Sequence, residues 1–288
     1  MKDALNADVD AALARIGVEA EPPSIDALFR IHRAYVETVP YETVWIHMDE
    51  RWSIDPANSV RRIARQRRGG YCFHLNGALS VVLRELGYHV TRHIGGVHGH
   101  GGPELDALTN HLVLVVHDLP TDDHPDGRWY ADAGLGDGLH EPMPLRSGTC
   151  EQGPLRFILE ATDDCIGDWH FVHDPTGSFA GMSFGEAEVG MDAFARRHEF
   201  LSTSPESSFA GTVTAQLRLA DGTDILRGLV LTRRRGQHTT TETFEDRADW
   251  FALLADAFGI SPAGPIVRLD ALWARVTAAH EAWLAGGA

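Results

Sequence analysis

The sequence predicts an α+β fold in which a helical stretch comes first, a β-rich stretch second and a mixed stretch last. Up to about residue 90 the apolar residues recur at three- and four-residue steps, the period of helices that bury one face. From residue 88 to residue 200 the pattern shortens to brief strands separated by Gly, Pro and Asp, as in an antiparallel sheet or barrel. The remainder carries strand-like runs at 211–219 and 225–233 and then two helical runs at 246–258 and 269–284. A chain of 288 residues with 43% hydrophobic content has room for one large or two to three small packed units.

Taken in order, residues 8–16 and 24–36 have helical spacing, and Ser24 is placed to cap the second helix after Pro22 and Pro23. Residues 59–66 read as a basic helix. Its arginines, with those just beyond it (Arg61, Arg62, Arg65, Arg67 and Arg68), read as a solvated face balancing an acidic surface, the competing reading being attraction to the phosphates of a nucleotide-bearing cofactor. Gly69 and Gly70 then allow a positive φ or a close backbone approach. Cys72 opens the next helix, whose stripe of Leu75, Leu79, Val82, Leu83 and Leu86 stops at Gly87. Residues 111–117 form an apolar, β-branched strand starting at His111. A turn-rich connection at 121–127 leads to a second strand at 128–134.

A thiol in the first turn of a helix is favoured as thiolate by the free N–H groups and the helix dipole, although a free cysteine is more often a small core residue. A nucleophilic thiol needs a base and a group to orient that base. In a hairpin of the two strands, His111 near the start of one lies close to Asp132 near the end of the next. The candidate constellation is therefore Cys72, His111 and Asp132.

The run Arg68-Gly69-Gly70-Tyr71-Cys72-Phe73, with Asn76-Gly77 after it, resembles the active-site signature of the arylamine N-acetyltransferases. Three further segments share the likeness: Val39-Pro40-Tyr41-Glu42-Thr43, the Asp132–Gly136 run, and Leu201 through Phe209. The resemblance implies a helical bundle carrying the cysteine (1–90), an antiparallel β-barrel carrying the histidine and aspartate (91–200), and a C-terminal α/β lid (201–288). It further implies ping-pong transfer of an acetyl or other acyl group from acyl-coenzyme A through a Cys72 thioester to a small aromatic amine or hydrazine. Acetyl-CoA is then a co-substrate, and no cofactor is permanently bound. Gly134 and Gly136 would border the coenzyme, and Tyr41, Phe73, Leu135 and Phe209 the acceptor. His74 replaces the Glu or Gln usual after the Cys-Phe pair, and Leu135 replaces the usual aromatic. These departures keep open an amide synthase using a longer acyl group, or one bound to an acyl carrier protein. A Cys-His-Asp hydrolase or transglutaminase-like enzyme is the more distant alternative, and a binding protein with an unused site the non-enzymatic one.

The balance of 25 Lys and Arg against 41 Asp and Glu gives a formal charge of −16, which argues against nucleic acid as a partner. Three cysteines form no disulfide framework, and Cys150 and Cys165 read as structural. No secretory leader core and no run near the ~18 apolar residues of a membrane span is evident, so a cytoplasmic protein is expected. His98 and His100 share a face of any extended backbone and raise a metal-site reading with His74 and Cys72. Flanking glycines and the lack of a Cys-x-x-Cys or His-Glu-x-x-His pattern favour an exposed loop there, as they do around His170 and His173, and no metal is expected.

Overall fold

The computed structural model describes residues 2–102, 108–163 and 167–286, so Cys165 lies outside the described residues. The helical part contains α1 (Lys2–Ile16) and α2 (Ile25–Thr38), then the two-residue strand β1 (Tyr41–Glu42), the short α3 (Val44–His47), α4 (Pro56–Arg61) and α5 (Cys72–Glu85). Ser24 caps α2 by accepting from the Ala27 N–H, as its place after two prolines predicts. Asp55 caps α4 in the same way, and Pro56 supplies a first helical residue that needs no N–H partner. A π-helical turn (Arg62–Gln66) follows α4 and is closed by Arg67 in a left-handed conformation.

Eight strands form one antiparallel sheet: β2 (His89–His98), β3 (His111–His117), β4 (Trp129–Ala131), β5 (Met143–Pro144), β6 (Gly148–Gln152), β7 (Leu155–Ala161), β8 (Trp169–Val172) and β9 (Gly181–Glu188). Their order is β5-β4-β3-β2-β9-β8-β7-β6, and the sheet curls into a nearly closed barrel filled by Val113, Tyr130, Phe157, Phe171, Met182 and Phe184. The other face of β3 and β4 presents Leu114, Val116 and Trp129 to Leu75, Leu79 and Leu83 of α5. The alternation of side chains along those strands thus serves two cores at once.

After a 3₁₀ turn (Met191–Phe194) come α6 (Ala195–Thr203) and α7 (Ser208–Gly211). A second antiparallel sheet is built from β10 (Thr214–Leu219), β11 (Gly222–Arg227), β12 (Val230–Arg235) and β13 (His238–Thr243). The helices α8 (Arg247–Phe258) and α9 (Ile266–Ala285) pack on it through Trp250, Leu254, Leu272 and Val276. β1 is the outer strand of this sheet, with Tyr41 opposite Gln216 and Glu42 opposite Ala215. A segment from the helical part is therefore woven into the C-terminal sheet.

Four expectations are corrected. Residues 225–233 are not one strand, because the chain reverses at Gly228, whose positive φ of 58° makes the turn between β11 and β12. Residue 211 belongs to α7 rather than to a strand. The arginines of the basic segment are a solvated face only in part: Arg61, Arg65 and Arg67 are exposed, the first two holding Asp8 of α1, but Arg62 and Arg68 are buried. Finally, His98 is not in an exposed loop. It is the buried last residue of β2, opposite Gly181, with its ring stacked 5.4 Å from that of His170. Among the described residues no helix is long and apolar enough to cross a membrane.

Candidate active site

The site is assembled by a close backbone crossing. A Cβ on Gly69 would lie 1.8 Å from the Pro40 carbonyl oxygen, so only glycine lets the 39–41 segment pass there. The crossing is held by the Glu42 N–H donating to the Gly70 carbonyl and by a two-pronged ion pair of Arg68 with fully buried Glu42, at 2.9 and 3.1 Å. Burial works against charge on Arg68, but the Glu42 carboxylate outweighs it and raises the guanidinium pKa. This clamp sets Tyr41 on one side of Cys72, which is the first residue of α5 and 3% exposed.

His111 comes to the same place because β3 starts there, its last pairing with β2 being His111 opposite Gly95. Asp132 follows the last residue of β4, and antiparallel pairing of β3 with β4 returns it to the start of β3. His111 Nε2 and Asp132 Oδ2 are 2.8 Å apart, and the other edge of the imidazole is left for Cys72, which lines the same cavity and whose sulfur donates to the Asn110 carbonyl at 3.5 Å. Burial alone would discharge His111. The charge of Asp132, the neighbouring Cys72 and the hydrogen bond to Asp132 outweigh it and raise the imidazole to about 10. Asp132 feels the opposite balance: burial pushes it up, but His111, Asn76 and the Gly134 N–H hold it below its ordinary value. An ionised Asp132 beside a protonated His111 is the arrangement these forces favour.

The residues that hold Asp132 escaped the sequence reading. Asn76 donates to Asp132 Oδ1 at 2.8 Å and to the Leu112 carbonyl, while its own oxygen accepts from the Ala133 N–H. The Tyr130 hydroxyl donates to Asp132 Oδ2 at 2.9 Å. Buried His32, pushed down to about 4 by desolvation, accepts from the Asp132 N–H through Nε2 and donates to the His140 carbonyl through Nδ1. Asn76 alone had a usable signal: four residues after Cys72, it must share the helix face of the thiol.

A cavity of about 420 Å³ opens over the sulfur, walled by Tyr41, Leu135, Phe179, Leu201 and Phe209, with His111 and Gly134 at its base. Tyr41, Leu135 and Phe209, expected from the sequence to border the acceptor, all line this cavity. Phe73 does not: it is fully buried, points away from the cavity and packs 5.0 Å from Phe194, because the next residue on a helix turns by about a quarter circle. Gly134 touches Cys72 directly, since a Cβ there would meet the Cys72 Cα at 2.7 Å, and its N–H is already given to Asp132. Gly136 packs against the Gln216 side chain, one step behind the cavity wall. His74 lies on the far face of α5, fully buried among Trp45, Trp52, Tyr71 and His198. Among the described residues no group of three or more His, Cys, Asp or Glu is arranged to hold a metal ion.

Comparison with known proteins gives this geometry its context. A family model described as N-acetyltransferase matches residues 24–265. The arylamine N-acetyltransferase of the pineal gland of Gallus gallus is 30% identical over 255 residues, covering 78% of this chain and 82% of that protein. That of Mycolicibacterium smegmatis is 28% identical over 271 residues, covering 88% and 92%. Among solved structures, the Mycobacterium marinum arylamine N-acetyltransferase in complex with CoA superposes with a TM-score of 0.79 at 26% identity, over 93% of this chain and 98% of that one. With its thiol, imidazole and carboxylate brought together at the mouth of α5 and a family match across most of its length, the chain belongs to the arylamine N-acetyltransferase family of acetyltransferases.

Proposed function

We propose that the protein transfers an acetyl group from acetyl-CoA to a small aromatic amine or hydrazine through a thioester on Cys72. The observation that carries this is the grouping of Cys72 with the hydrogen-bonded His111–Asp132 pair at the floor of a cavity large enough for an aromatic ring. His111 stores the thiol proton, and the sulfur attacks the thioester carbonyl to form a tetrahedral adduct. The Cys72 and Phe73 N–H groups have no acceptor within their helix and are the natural donors to its oxyanion. Collapse expels the coenzyme sulfur, which leaves with the proton from His111. The amine then attacks the acyl-cysteine, His111 takes its proton, and the Cys72 thiolate departs to restore the starting pair. A weakly basic aromatic or hydrazine nitrogen suits this step because its lone pair is free at neutral pH.

A second cavity of about 600 Å³ suits the rest of the coenzyme. It shares Ser178, Thr212 and Arg227 with the first and adds Arg234, His280 and Trp283. The Mycobacterium marinum relative, solved with CoA, supports that donor. In this reading Gly134 and Gly136 shape the turn beside the acyl group rather than cradle phosphates. Residues 201–288 supply Thr212, Thr214, Gln216 and Arg227 to the walls and serve as the cover that keeps water from the acyl-enzyme. Initial rates with both substrates varied should give parallel double-reciprocal lines, and Cys72→Ala should abolish transfer. Intersecting lines, or an active Cys72→Ala protein, overturn the mechanism.

A further inference from the structure

The chain carries 41 Asp and Glu against 25 Lys and Arg, yet among the described residues no acidic side chain lines the cavity over Cys72. Two arginines do, Arg197 from α6 and Arg227 from the end of β11. Among the described residues the buried arginines have acceptors on part of the guanidinium: Arg68 holds Glu42, Arg62 donates to the Ser59 hydroxyl, and Arg218 donates to the carbonyls of Gly138, Gln152 and Gly222. Arg197 has none among the described residues. Its Nε is buried without a hydrogen-bond partner, and its guanidinium lies 5.0 Å from the Phe200 ring, a contact that fixes its plane while leaving the donating edge unused. A buried Nε–H without an acceptor is costly, and the planar fork of the half-buried guanidinium matches a carboxylate. Arg227 belongs to both cavities and can serve the coenzyme, whereas Arg197 lines only the inner one.

We infer that Arg197 is a specificity residue that reads a carboxylate on the substrate filling the inner cavity. The inference rests on the reading that acyl transfer takes place in that cavity. The carboxylate has two chemical sources: an acidic substituent on the acceptor amine, as in an aminobenzoate, or the free end of a short dicarboxylic acyl group on the donor. Apolar walls of Leu135, Phe179 and Phe209 would hold the body of either group while the guanidinium takes its charged end.

The test compares kcat/KM in two arms. One arm sets aminobenzoates against their methyl esters with acetyl-CoA as donor. The other sets malonyl- and succinyl-CoA against acetyl- and propionyl-CoA with aniline as acceptor. Arg197→Met should lower the acid-over-neutral ratio by about tenfold or more in one arm, the usual scale for losing a charge-assisted pair. Arg197→Glu should bring it below one. The arm that responds identifies the source. Should Arg197→Met fail to fold, Arg197→Lys carries the test, with an intermediate ratio expected and an unchanged ratio contradicting the inference. Unchanged ratios in both arms overturn it, and so does a uniform loss on every coenzyme donor that vanishes with a short thioester lacking the nucleotide. Acetylation of the Cys72 peptide is followed in parallel by mass spectrometry. Its absence from the unsubstituted protein sinks the underlying mechanism, while its presence with flat ratios sinks only the role of Arg197.

Discussion

The two faces of α5 treat buried polar atoms in opposite ways. On the face of Cys72 and Asn76, the Asp132 carboxylate receives His111, Asn76, Tyr130 and the Gly134 N–H. On the other face, His74 is equally buried but neither ring nitrogen has a partner, and the nearby Trp45 Nε1 and Arg62 Nε lack one as well. Desolvation, helped by Arg62 and His198, drives the His74 pKa well below its ordinary value, so this imidazole stays neutral. Hydrogen bonds are spent where one geometry of a charged pair must be held, and aromatic packing suffices where only volume must be filled. A fully satisfied network specifies an arrangement, whereas an unsatisfied group only costs stability.

Breaking the satisfied face should be expensive. Asp132→Asn removes the charge that orients and protonates His111, and a loss of about 10⁴ in kcat is expected by analogy with other triads; stopped assays with any accepted amine would measure it. Arg68→Ala leaves Glu42 charged and buried, and should lower unfolding stability by about 3–5 kcal/mol in urea titration. For Asn76→Ala, which strips a donor from Asp132 and an acceptor from the Ala133 N–H, about 1–3 kcal/mol is expected, together with a fall in kcat.

Sequence made much of this contrast readable. The stripe along α5, the β3–β4 hairpin and the glycine pair each have local causes, and those elements alone bring Cys72, His111 and Asp132 together. What stayed hidden depends on distant parts of the chain. β1 is too short to carry a pattern and exists because β10, far along the sequence, pairs with it. β13 is exposed along its whole length, so it lacks the alternation that marks a half-buried strand. Arg68 reads as part of a surface because its acceptor, Glu42, lies in another segment. The glycines around His98 suggest mobility, whereas its burial comes from β9, far along the sequence, where Gly181 leaves room for the ring.

Two weaker effects sharpen the comparison. The fold raises His111 from 6.5 to about 10, so its share of stability is full below about pH 6.5 and is lost as pH rises toward 10. Asp132 is lowered, so its share is present above its ordinary 3.8 and is lost only as pH falls through its lower folded value. The stability gap between the unsubstituted protein and His111→Gln, from urea melts, should accordingly narrow between pH 6.5 and about 10. On the unsatisfied face, His74→Leu removes two unpartnered nitrogens at similar volume. It should leave stability unchanged or raise it by up to about 1–3 kcal/mol, with transfer activity retained. A loss as large as that of Asn76→Ala would erase the distinction between the two faces.

The most direct measurement is peptide mass spectrometry after mixing the protein with acetyl-CoA and no amine. The triad geometry predicts one acetyl group, held as a thioester on the Cys72 peptide and discharged when an arylamine is added. A protein that turns over while Cys72 stays unmodified, or that carries the label only on Cys150 or another residue, would contradict it.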